Sequence, residues 1–277
     1  MDLGPLIVDI AGSELTEEDK DLLIHPMIGG IILFSRNYVS KSQIKSLILQ
    51  IKKLSRKTSL LICIDHEGGR IQRFEKEFTK LPSLQSFGNA WMVNDSRSIS
   101  LSLQKAFDAS KLLASELKEV GIDFSFTPVL DINWGKSTVI GDRSISIDPY
   151  IVFSIASMII NGLRSEGMKN CGKHFPGHGW AQADSHLDKV VDNRSFNKID
   201  ETDLLPYKML SKSNLLDSIM PAHVTYPQVD SKPAGFSKVW LKDVLKKQIK
   251  FDGLIISDDL SMKAAELYGC VLDRAQL

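Results

Sequence analysis

Short hydrophobic runs alternate with longer amphipathic segments along the chain. Seven runs rich in β-branched residues predict strands at residues 4–10, 30–34, 60–64, 122–130, 168–171, 216–220 and 254–256. Between them, apolar residues recur at helical spacing, as at Ile44, Leu47, Ile48 and Ile51. This spacing predicts helices at residues 16–24, 40–54, 99–120, 149–166, 200–213 and 239–249, and a last helix from Met262. A long polar loop is predicted after the third strand.

The predicted strands are continuously hydrophobic and do not alternate between apolar and polar residues. Continuous hydrophobic runs are typical of parallel sheets, in which both faces of each strand are buried. Strand and helix units that repeat in this way indicate an α/β fold, and both a barrel and a doubly wound sheet are consistent with the pattern.

Polar side chains follow five of the predicted strands, at the point where each strand ends. They are Asp65, His66, Glu67 and Arg70 after the third strand, Asp131 and Arg143 after the fourth, Lys173 and His174 after the fifth, His223 after the sixth, and Asp258 and Asp259 after the seventh. In a (β/α)8 barrel these ends surround one pocket, whereas in an open sheet they lie along an edge. The pattern therefore favours a TIM-type (β/α)8 barrel in a single domain, residues 1–277. Because seven units precede Leu277, either one element is unrecognised or the barrel is truncated before its eighth βα unit.

Composition narrows the classes of partner. The chain has 34 Lys and Arg residues and 34 Asp and Glu residues, so no net charge attracts a nucleic acid or an anionic membrane surface. Three widely spaced cysteines without a C-x-x-C motif do not form a disulfide framework, which fits a reducing compartment. The N-terminus lacks a signal-peptide pattern, and no apolar run reaches the roughly 20 residues that span a bilayer. We therefore expect a cytoplasmic protein; its sequence defines no oligomeric state.

Ionisable side chains are concentrated in residues 171–186, a stretch interrupted by Pro176 and several glycines. Near its end, a carboxylate (Asp184) stands two positions before an imidazole (His186). A neighbouring carboxylate orients an imidazole and favours its charged form, so His186 is a candidate proton donor and acceptor near neutral pH. The alternative is a polar surface loop with scattered histidines.

Two adjacent acids, Asp258 and Asp259, follow the last predicted strand. A carboxylate in this position serves as a glycosidase nucleophile, a metal ligand, a general base or a helix cap. Asp259 suits the capping role, because it stands one residue before the apolar start of the last helix. Asp258 then remains for chemistry.

The strand ends also carry groups suited to holding a sugar ring. Asp65 can accept hydrogen bonds from paired hydroxyls, while Arg70, Arg143 and Lys173 supply donors. The alternative for each is an ion pair with a neighbour, for example Asp65 with Arg70.

A metal site is the alternative to this carbohydrate site. His174 and His178 are spaced i, i+4, and Asp184, His186 and Asp258 are further potential ligands. That spacing suits a metal on a helix, but Pro176 and Gly177 exclude a regular helix here. We therefore favour a metal-free carbohydrate site.

Taken together, these motifs resemble glycoside hydrolase family 3, and most closely its single-domain bacterial β-N-acetylglucosaminidases of peptidoglycan recycling. The most specific segments are Lys-His-Phe-Pro-Gly-His-Gly at 173–179 and Ser-Asp-Asp-Leu-Ser-Met at 257–262. The remaining matches lie at residues 31–37, 64–74, 140–144 and 184–186, in the order found in the family.

The resemblance implies a retaining mechanism without a metal or an organic cofactor. Asp258 matches the nucleophile that forms a covalent glycosyl-enzyme, and His186, paired with Asp184, matches the acid/base. The residues that match the N-acetylglucosamine-binding groups are Asp65, Arg143, Lys173 and His174, and Arg70 lies in the same motif. The implied substrate is a small muropeptide bearing a terminal GlcNAc linked to 1,6-anhydro-N-acetylmuramic acid, with no nucleic-acid or membrane partner.

The sequence is also consistent with three other functions. A non-catalytic or degenerate muropeptide-binding barrel is suggested by the missing eighth unit. A β-glycosidase of broader specificity is another, because spacing alone does not select the 2-acetamido group. The third is a metal-dependent hydrolase on the same barrel.

Overall fold

A computed structural model describes residues 3–54, 57–93, 95–184, 189–266 and 268–276. The strands are β1 (Leu6–Val8), β2 (Ile28–Leu33), β3 (Leu61–Ile64), β4 (His66–Gly68), β5 (Ile71–Gln72), β6 (Phe124–Ser125), β7 (Cys171–Phe175), β8 (Gln182–Asp184), β9 (Lys189–Val191), β10 (Ser218–Pro221), β11 (Thr225–Tyr226), β12 (Asp230–Pro233) and β13 (Leu254–Ile255).

The helices are α1 (Glu17–Leu23), α2 (Lys41–Lys52), α3 (Leu84–Trp91), α4 (Ser96–Glu119), α5 (Pro149–Ser165), α6 (Phe196–Glu201), α7 (Leu204–Lys212), α8 (Lys263–Glu266) and α9 (Val271–Gln276). A π-helical segment (Val239–Gln248) and short 3-10 turns at Ser35–Asn37, Gly141–Arg143 and Ala234–Phe236 complete the set for the described residues. None of the helices in this part of the chain is both long and apolar enough to cross a lipid bilayer.

The main strands pair in parallel and in the order in which they occur along the chain. One sheet has the order β1-β2-β3-β6, and another has the order β7-β10-β13. Parallel bridges from Phe124 to Lys169 and from Val129 to Lys173 connect the two sheets. Helices follow most of these strands, so the predicted α/β class with a parallel sheet is confirmed. The carboxyl ends of the strands consequently lie at one side of the molecule.

Burial follows the predicted hydrophobic pattern in strands β2, β3, β7 and β10 and in helix α2, whereas the outer strands β1 and β13 are partly exposed. In α2, the residues that face the sheet are Ile44, Leu47, Ile48 and Ile51, and all four are buried. Their recurrence every three or four positions is therefore the amphipathic stripe of a helix packed on a sheet. Helix α1 begins as the sequence indicates, with Thr16 and Asp19 in a reciprocal capping box.

Two of the three cysteines, Cys63 and Cys171, lie in a small buried cluster with Phe124, Phe126 and Met220. Burial raises the pKa of the Cys171 thiol to about 12, so the thiol stays protonated and packs as a small apolar group. These cysteines are free, as the sequence predicts.

The fifth strand of the prediction, residues 168–171, is placed too early. Strand β7 begins at Cys171 and continues through Phe175, and all five of its residues are buried. Gly172 ends the strand in the sequence pattern, but here it allows close packing, since a Cβ there would lie 2.7 Å from the Leu130 Cδ1 atom. Lys173 and His174 therefore belong to the strand itself, which holds them more rigidly than a loop.

The polar loop predicted after the third strand contains a helix. Helix α3 has Leu84, Phe87 and Gly88 buried, and the Ser102 hydroxyl of α4 donates a hydrogen bond to the Phe87 carbonyl at 2.7 Å. The glycines and prolines around the segment hide this helix from a sequence pattern, because tertiary packing, not local propensity, stabilises it.

Candidate active site

The candidate residues gather at the carboxyl ends of the parallel strands. Asp65 directly follows β3, Lys173 and His174 lie on β7, His223 follows β10, and Asp258 follows β13 by three positions. Arg143 ends the 3-10 turn Gly141–Arg143. This is the edge where ligands bind in parallel α/β folds.

Lys173 is the centre of a buried ion-pair cluster. Its Nζ lies 2.7 Å from Asp65 Oδ1 and 2.7 Å from Glu67 Oε1, and its side chain is only 2% exposed. Burial alone would lower the pKa of the ammonium, but the two carboxylates outweigh burial and raise it. Lys173 is therefore a permanently charged donor that two acids hold in one position.

Arg143 and Glu67 form a bidentate ion pair. The Arg143 Nε donates to Glu67 Oε2 at 2.9 Å, and its Nη2 donates to Oε1 at 2.8 Å. Burial alone would raise the pKa of Glu67, but Lys173 and Arg143 together lower it to about 2. Glu67 is thus ionised at neutral pH and holds the side chains of Lys173 and Arg143 in place.

His174 is oriented by a buried carboxylate, that of Asp131, in the segment that follows β6. Its Nδ1 lies 2.7 Å from Asp131 Oδ2, and its Nε2 lies 3.4 Å from Arg143 Nη2. The other Asp131 oxygen accepts backbone hydrogen bonds from His174 at 3.2 Å and from His178 at 2.7 Å. Burial alone would raise the pKa of Asp131, but His174 and the other donors lower it to about 2. Asp131 therefore fixes the imidazole ring and the start of the next loop together.

Asp258 is half-buried, and its backbone is fixed from the neighbouring strand end. His223 Nε2 donates to the Asp258 carbonyl at 3.3 Å, while the His223 ring stacks on Phe236 at 5.1 Å between centroids. The Asp258 Oδ1 accepts a hydrogen bond from the backbone N–H of Asp259 at 2.8 Å. Its Oδ2 has no such partner among the described residues. One carboxylate oxygen is therefore available to a ligand.

Asp258 also acts electrostatically on the cluster. Burial lowers the pKa of His178, whereas the negative charges of Asp131 and, more weakly, Asp258 oppose that effect. The Asp258 carboxylate is therefore within electrostatic range of the loop that follows β7. The Asp259 carboxylate accepts the backbone N–H of Ser261 at 2.8 Å, a local bond of the kind expected near a helix start.

Arg70 lies outside this cluster. Its Nε donates to Asp142 Oδ1 at 3.0 Å, and its Nη2 donates to the carbonyls of Thr138 and Ile140 at 3.2 Å each. The predicted alternative, an ion pair of Asp65 with Arg70, is wrong, because Asp65 pairs with Lys173 and, at 3.7 Å, with Arg73. Arg70 is exposed and braces the loop that precedes Arg143.

The predicted acid/base pair falls partly outside the described residues. Asp184 ends β8, which pairs with β9 in antiparallel orientation. His186 lies outside the part of the chain that the structure describes. The roles of Asp184 and His186 stay predictions.

Sequence reasoning did not assign roles to Glu67 and Asp131. Both are acids at the ends of buried strand segments, flanked by His66 and Leu130, which are themselves buried. An acid in such a position is almost always paired, and this was the signal available in the sequence.

The potential metal ligands of the described part of the chain do not form a cluster. No three His, Cys, Asp or Glu side chains come together there with metal-binding geometry. His174 and His178 face each other edge to face, with 6.0 Å between ring centroids.

The backbone of the loop that follows β7 packs against the backbone of the loop that follows β6, at Ile132. A Cβ on Gly179 would lie 1.8 Å from the Ile132 carbonyl oxygen. We expect Gly179→Ala to lower the free energy of unfolding by about 1–3 kcal/mol and to reduce kcat/KM at least about tenfold, because it displaces His178 and Asp131. Urea unfolding and a steady-state assay measure both effects.

Gly12→Ala is the matched control for this substitution. A Cβ at Gly12 meets nothing within 4 Å, so this variant should retain stability and activity. Equal behaviour of the two variants would contradict the close contact between the loops.

Comparison with known proteins places the chain among glycosidases. The sequence model of the glycosyl hydrolase family 3 N-terminal domain matches residues 4–277. The β-hexosaminidase of Thiobacillus denitrificans is 46% identical over 276 residues, which are 100% of this chain and 75% of that protein. The β-hexosaminidase of Neisseria gonorrhoeae is 47% identical over 274 residues, which are 99% of this chain and 74% of that protein.

Solved structures agree with this assignment. NagZ from Neisseria gonorrhoeae, in complex with N-trifluoroacetyl-D-glucosamine, has a TM-score of 0.91 and 47% identity, covering 99% of this chain and 78% of that one. A glycoside hydrolase family 3 β-N-acetylglucosaminidase from Paenibacillus has a TM-score of 0.88 and 29% identity, covering 98% of this chain and 50% of that one.

Proposed function

Because this chain belongs to glycosyl hydrolase family 3, we propose that it is a retaining, exo-acting β-N-acetylglucosaminidase that releases terminal GlcNAc from muropeptides. The enzyme class follows from the family and the relatives: it is a glycoside hydrolase of the β-N-acetylhexosaminidase type. One observation carries the proposal. A half-buried carboxylate, Asp258, has one available oxygen and lies within electrostatic range of a buried set of charged groups suited to a sugar.

The proposed architecture is a TIM-type (β/α)8 barrel in a single domain, of which residues 1–277 supply the seven βα units before the eighth. The order β1-β2-β3-β6 and then β7-β10-β13, with bridges between the two sets, supports seven consecutive parallel strands of such a barrel. In a barrel of this type the strand ends surround one pocket, which explains why chemistry-bearing residues follow so many strands.

The proposed chemistry is a double displacement. Asp258 attacks the anomeric carbon from the face opposite the aglycone, and the glycosidic bond breaks as a new ester bond to the carboxylate forms. His186, oriented by Asp184, gives a proton to the departing glycosidic oxygen and then removes a proton from the water that hydrolyses the ester. Two inversions leave the released GlcNAc with the β configuration of the substrate.

The proposed sugar-binding groups are Asp65, Arg143, Lys173 and His174. Ion pairs and hydrogen bonds among them, and with Glu67 and Asp131, fix these groups before a ligand arrives. Groups fixed in this way lose little side-chain entropy when they bind hydroxyls and a carbonyl of the sugar. Arg70 contributes indirectly, through the loop that carries Arg143.

The proposed substrate class is a terminal GlcNAc β-linked to 1,6-anhydro-N-acetylmuramic acid, with or without a peptide, acted on in the cytoplasm. A relative that binds an N-acylated glucosamine supports recognition of the 2-acetamido sugar. The balanced overall charge, with 34 basic and 34 acidic residues, is consistent with a small-molecule substrate and gives no reason to expect a polyanionic partner.

The test is hydrolysis by the purified chain of a chromogenic β-N-acetylglucosaminide beside its β-glucoside counterpart. We expect turnover of the N-acetyl substrate alone, unchanged by a chelator. Equal turnover of both substrates would indicate a broader β-glycosidase, and loss with chelator a metal-dependent hydrolase. A cooperatively folded chain that turns over neither substrate would indicate a binding protein without catalysis.

A further inference from the structure

An exposed lysine and two tryptophans lie beside the candidate active site and take no part in the chemistry described above. The Lys136 Nζ lies 3.6 Å from the centroid of the half-buried Trp180 ring. The Trp180 ring meets the Trp134 ring edge to face, with 5.4 Å between centroids. We call Trp134, Lys136 and Trp180 the rim platform.

Hydrogen bonds connect the rim platform to the sugar-holding cluster. Asp131 holds His174 through its side chain and His178 through its backbone N–H. The His178 Nδ1 lies 3.4 Å from the hydroxyl of Ser137, the residue after Lys136. The Ser137 N–H also donates to the Gly179 carbonyl at 3.3 Å, one residue before Trp180. Lys136 and Trp180 are therefore fixed relative to each other and to His174.

A hydrogen bond to the Asn133 side chain closes the turn that precedes Lys136. Asn133 Oδ1 accepts the backbone N–H of Gly135 at 3.2 Å, which folds the chain back and exposes Lys136. The position of the ammonium is thus set by the fold of the loop, and the indole face limits its movement. A cation over an indole face is attracted by the negative charge density of the ring.

No acid among the residues that the structure describes neutralises the charge of Lys136. Among the ion pairs of the described residues, Lys136 takes part in none. The other cation beside the two indoles, Arg194, is buried and pairs with Asp192 and Asp203 at 2.6 Å each. Lys136 is consequently the cation of this group that remains free to receive an anion from solvent.

The rim platform also includes a residue of the chain segment that leads to Asp184 and the proposed proton donor. Its Trp180 belongs to the segment between β7, which carries the sugar-binding groups, and β8, which ends at Asp184. In a retaining glycosidase, the proton donor contacts the glycosidic oxygen on the aglycone side. With His186 as the proposed proton donor, a ligand whose sugar occupies the cluster extends its aglycone past the segment that leads to His186.

We propose that the rim platform is an aglycone subsite, in which Trp180 contacts the aglycone and Lys136 binds a carboxylate that the aglycone carries. This inference rests on the proposed function and deepens it, because it assigns two residues of this chain, Lys136 and Trp180, to selection of an anionic leaving group. A muramic acid residue with a free lactyl carboxylate, or a peptide that ends in a carboxylate, has this chemistry.

The test compares two ligands of the same shape and different charge. These are GlcNAc-β-1,4-N-acetylmuramic acid with its free lactyl carboxylate and the methyl ester of the same disaccharide. Calorimetric affinities are measured on the Asp258→Asn background, so that binding does not depend on turnover. We expect the acid to bind about three- to fivefold more tightly than the ester, as suits one exposed ion pair.

Lys136→Met should reduce this acid-to-ester ratio to about one, and Lys136→Arg should preserve most of it. Raising the ionic strength from about 0.02 M to about 0.5 M should also reduce the acid-to-ester ratio. The matched control is Lys212→Met, because Lys212 is an exposed lysine at the end of α7, before β10 begins, and therefore at the opposite end of the strands. This control should keep the ratio of the parent protein.

A ratio that is the same with Met, Arg or Lys at position 136 overturns the subsite. So does an equal loss of affinity for acid and ester, since that result assigns Lys136 a structural role only. Failure of the proposed function has a different signature, namely no turnover of the small chromogenic substrate while the charge preference in binding is retained. The subsite would stand in that case.

Discussion

Asp258→Ala should lower kcat for a chromogenic β-N-acetylglucosaminide on the order of 10⁴-fold or more, the scale seen when a covalent nucleophile is removed. The physical reason is that Asp258 is the half-buried acid after β13 with one oxygen available, whereas the neighbouring Asp259 is exposed. A factor of 10⁴ corresponds to about 5 kcal/mol of transition-state stabilisation. The thermal stability of the variant should change little, since the side chain is half-buried and forms one hydrogen bond to the next residue.

Azide distinguishes loss of the nucleophile from general damage. A small anion can enter the space left by the carboxylate and attack the anomeric carbon from the same face. We therefore expect azide to restore turnover to Asp258→Ala and to give the α-glycosyl azide, because a single inversion replaces two. The parent protein should release the β anomer of GlcNAc.

Asp259→Ala is the matched control for this prediction. It removes the adjacent acid, which is exposed and whose hydrogen bond is to the backbone N–H of Ser261. We expect kcat within a few-fold of the parent protein, because a local cap contributes about 1 kcal/mol at most to this segment. If Asp259→Ala were as inactive as Asp258→Ala, or if azide gave no α product, the nucleophile would be assigned to the wrong carboxylate.

The position of the site was predictable, because it depends on where hydrophobic runs end. Asp65 follows the buried strand β3 and Asp258 follows the partly exposed strand β13, both at positions that the sequence indicates, and a parallel fold brings such strand ends to one edge. The boundary of β7 was not predictable in the same way. Gly172 is a breaker in an isolated segment, but its missing side chain makes room for Leu130 in the folded protein.

The partners of the ionisable groups were the least predictable feature. Arg70 and Arg73 stand three residues apart on one hairpin, yet Arg70 pairs with Asp142 while Arg73 approaches Asp65. A sequence lists the charges but not which pairs come within 3 or 4 Å. The pairing depends on the direction in which each hairpin and loop turns, and tertiary packing sets that direction.

Glu67→Ala should lower the free energy of unfolding at pH 7 by about 3–5 kcal/mol, the scale expected when one partner of a buried ion pair is removed. Glu67 is 1% exposed and contacts both Lys173 and Arg143. Without it, the two buried cations keep their desolvation cost and repel each other. Urea unfolding at pH 7 measures the difference.

Glu119→Ala is the matched control, because Glu119 also pairs with a lysine, Lys41, at 3.2 Å, but is 60% exposed. An exposed pair of this kind contributes about 0–1 kcal/mol, since water screens it and both side chains lose freedom. The two glutamates therefore differ in burial and not in chemistry. Similar losses from both substitutions would contradict a buried cluster around Lys173.

The pH dependence gives a second, independent readout of the same carboxylate. Because the pKa of Glu67 falls from its ordinary value of 4.5 to about 2 in the folded protein, its contribution to stability is complete above about pH 4.5. That contribution is lost as the pH falls from about 4.5 towards 2, where the carboxylate becomes protonated in the folded state too. The gap in stability between the parent protein and Glu67→Ala should therefore be constant from pH 7 to 5 and narrow below pH 4.5. A gap that stays constant down to pH 3 would mean that Glu67 stabilises the fold by packing, and that its charge does not hold Lys173 and Arg143 in place.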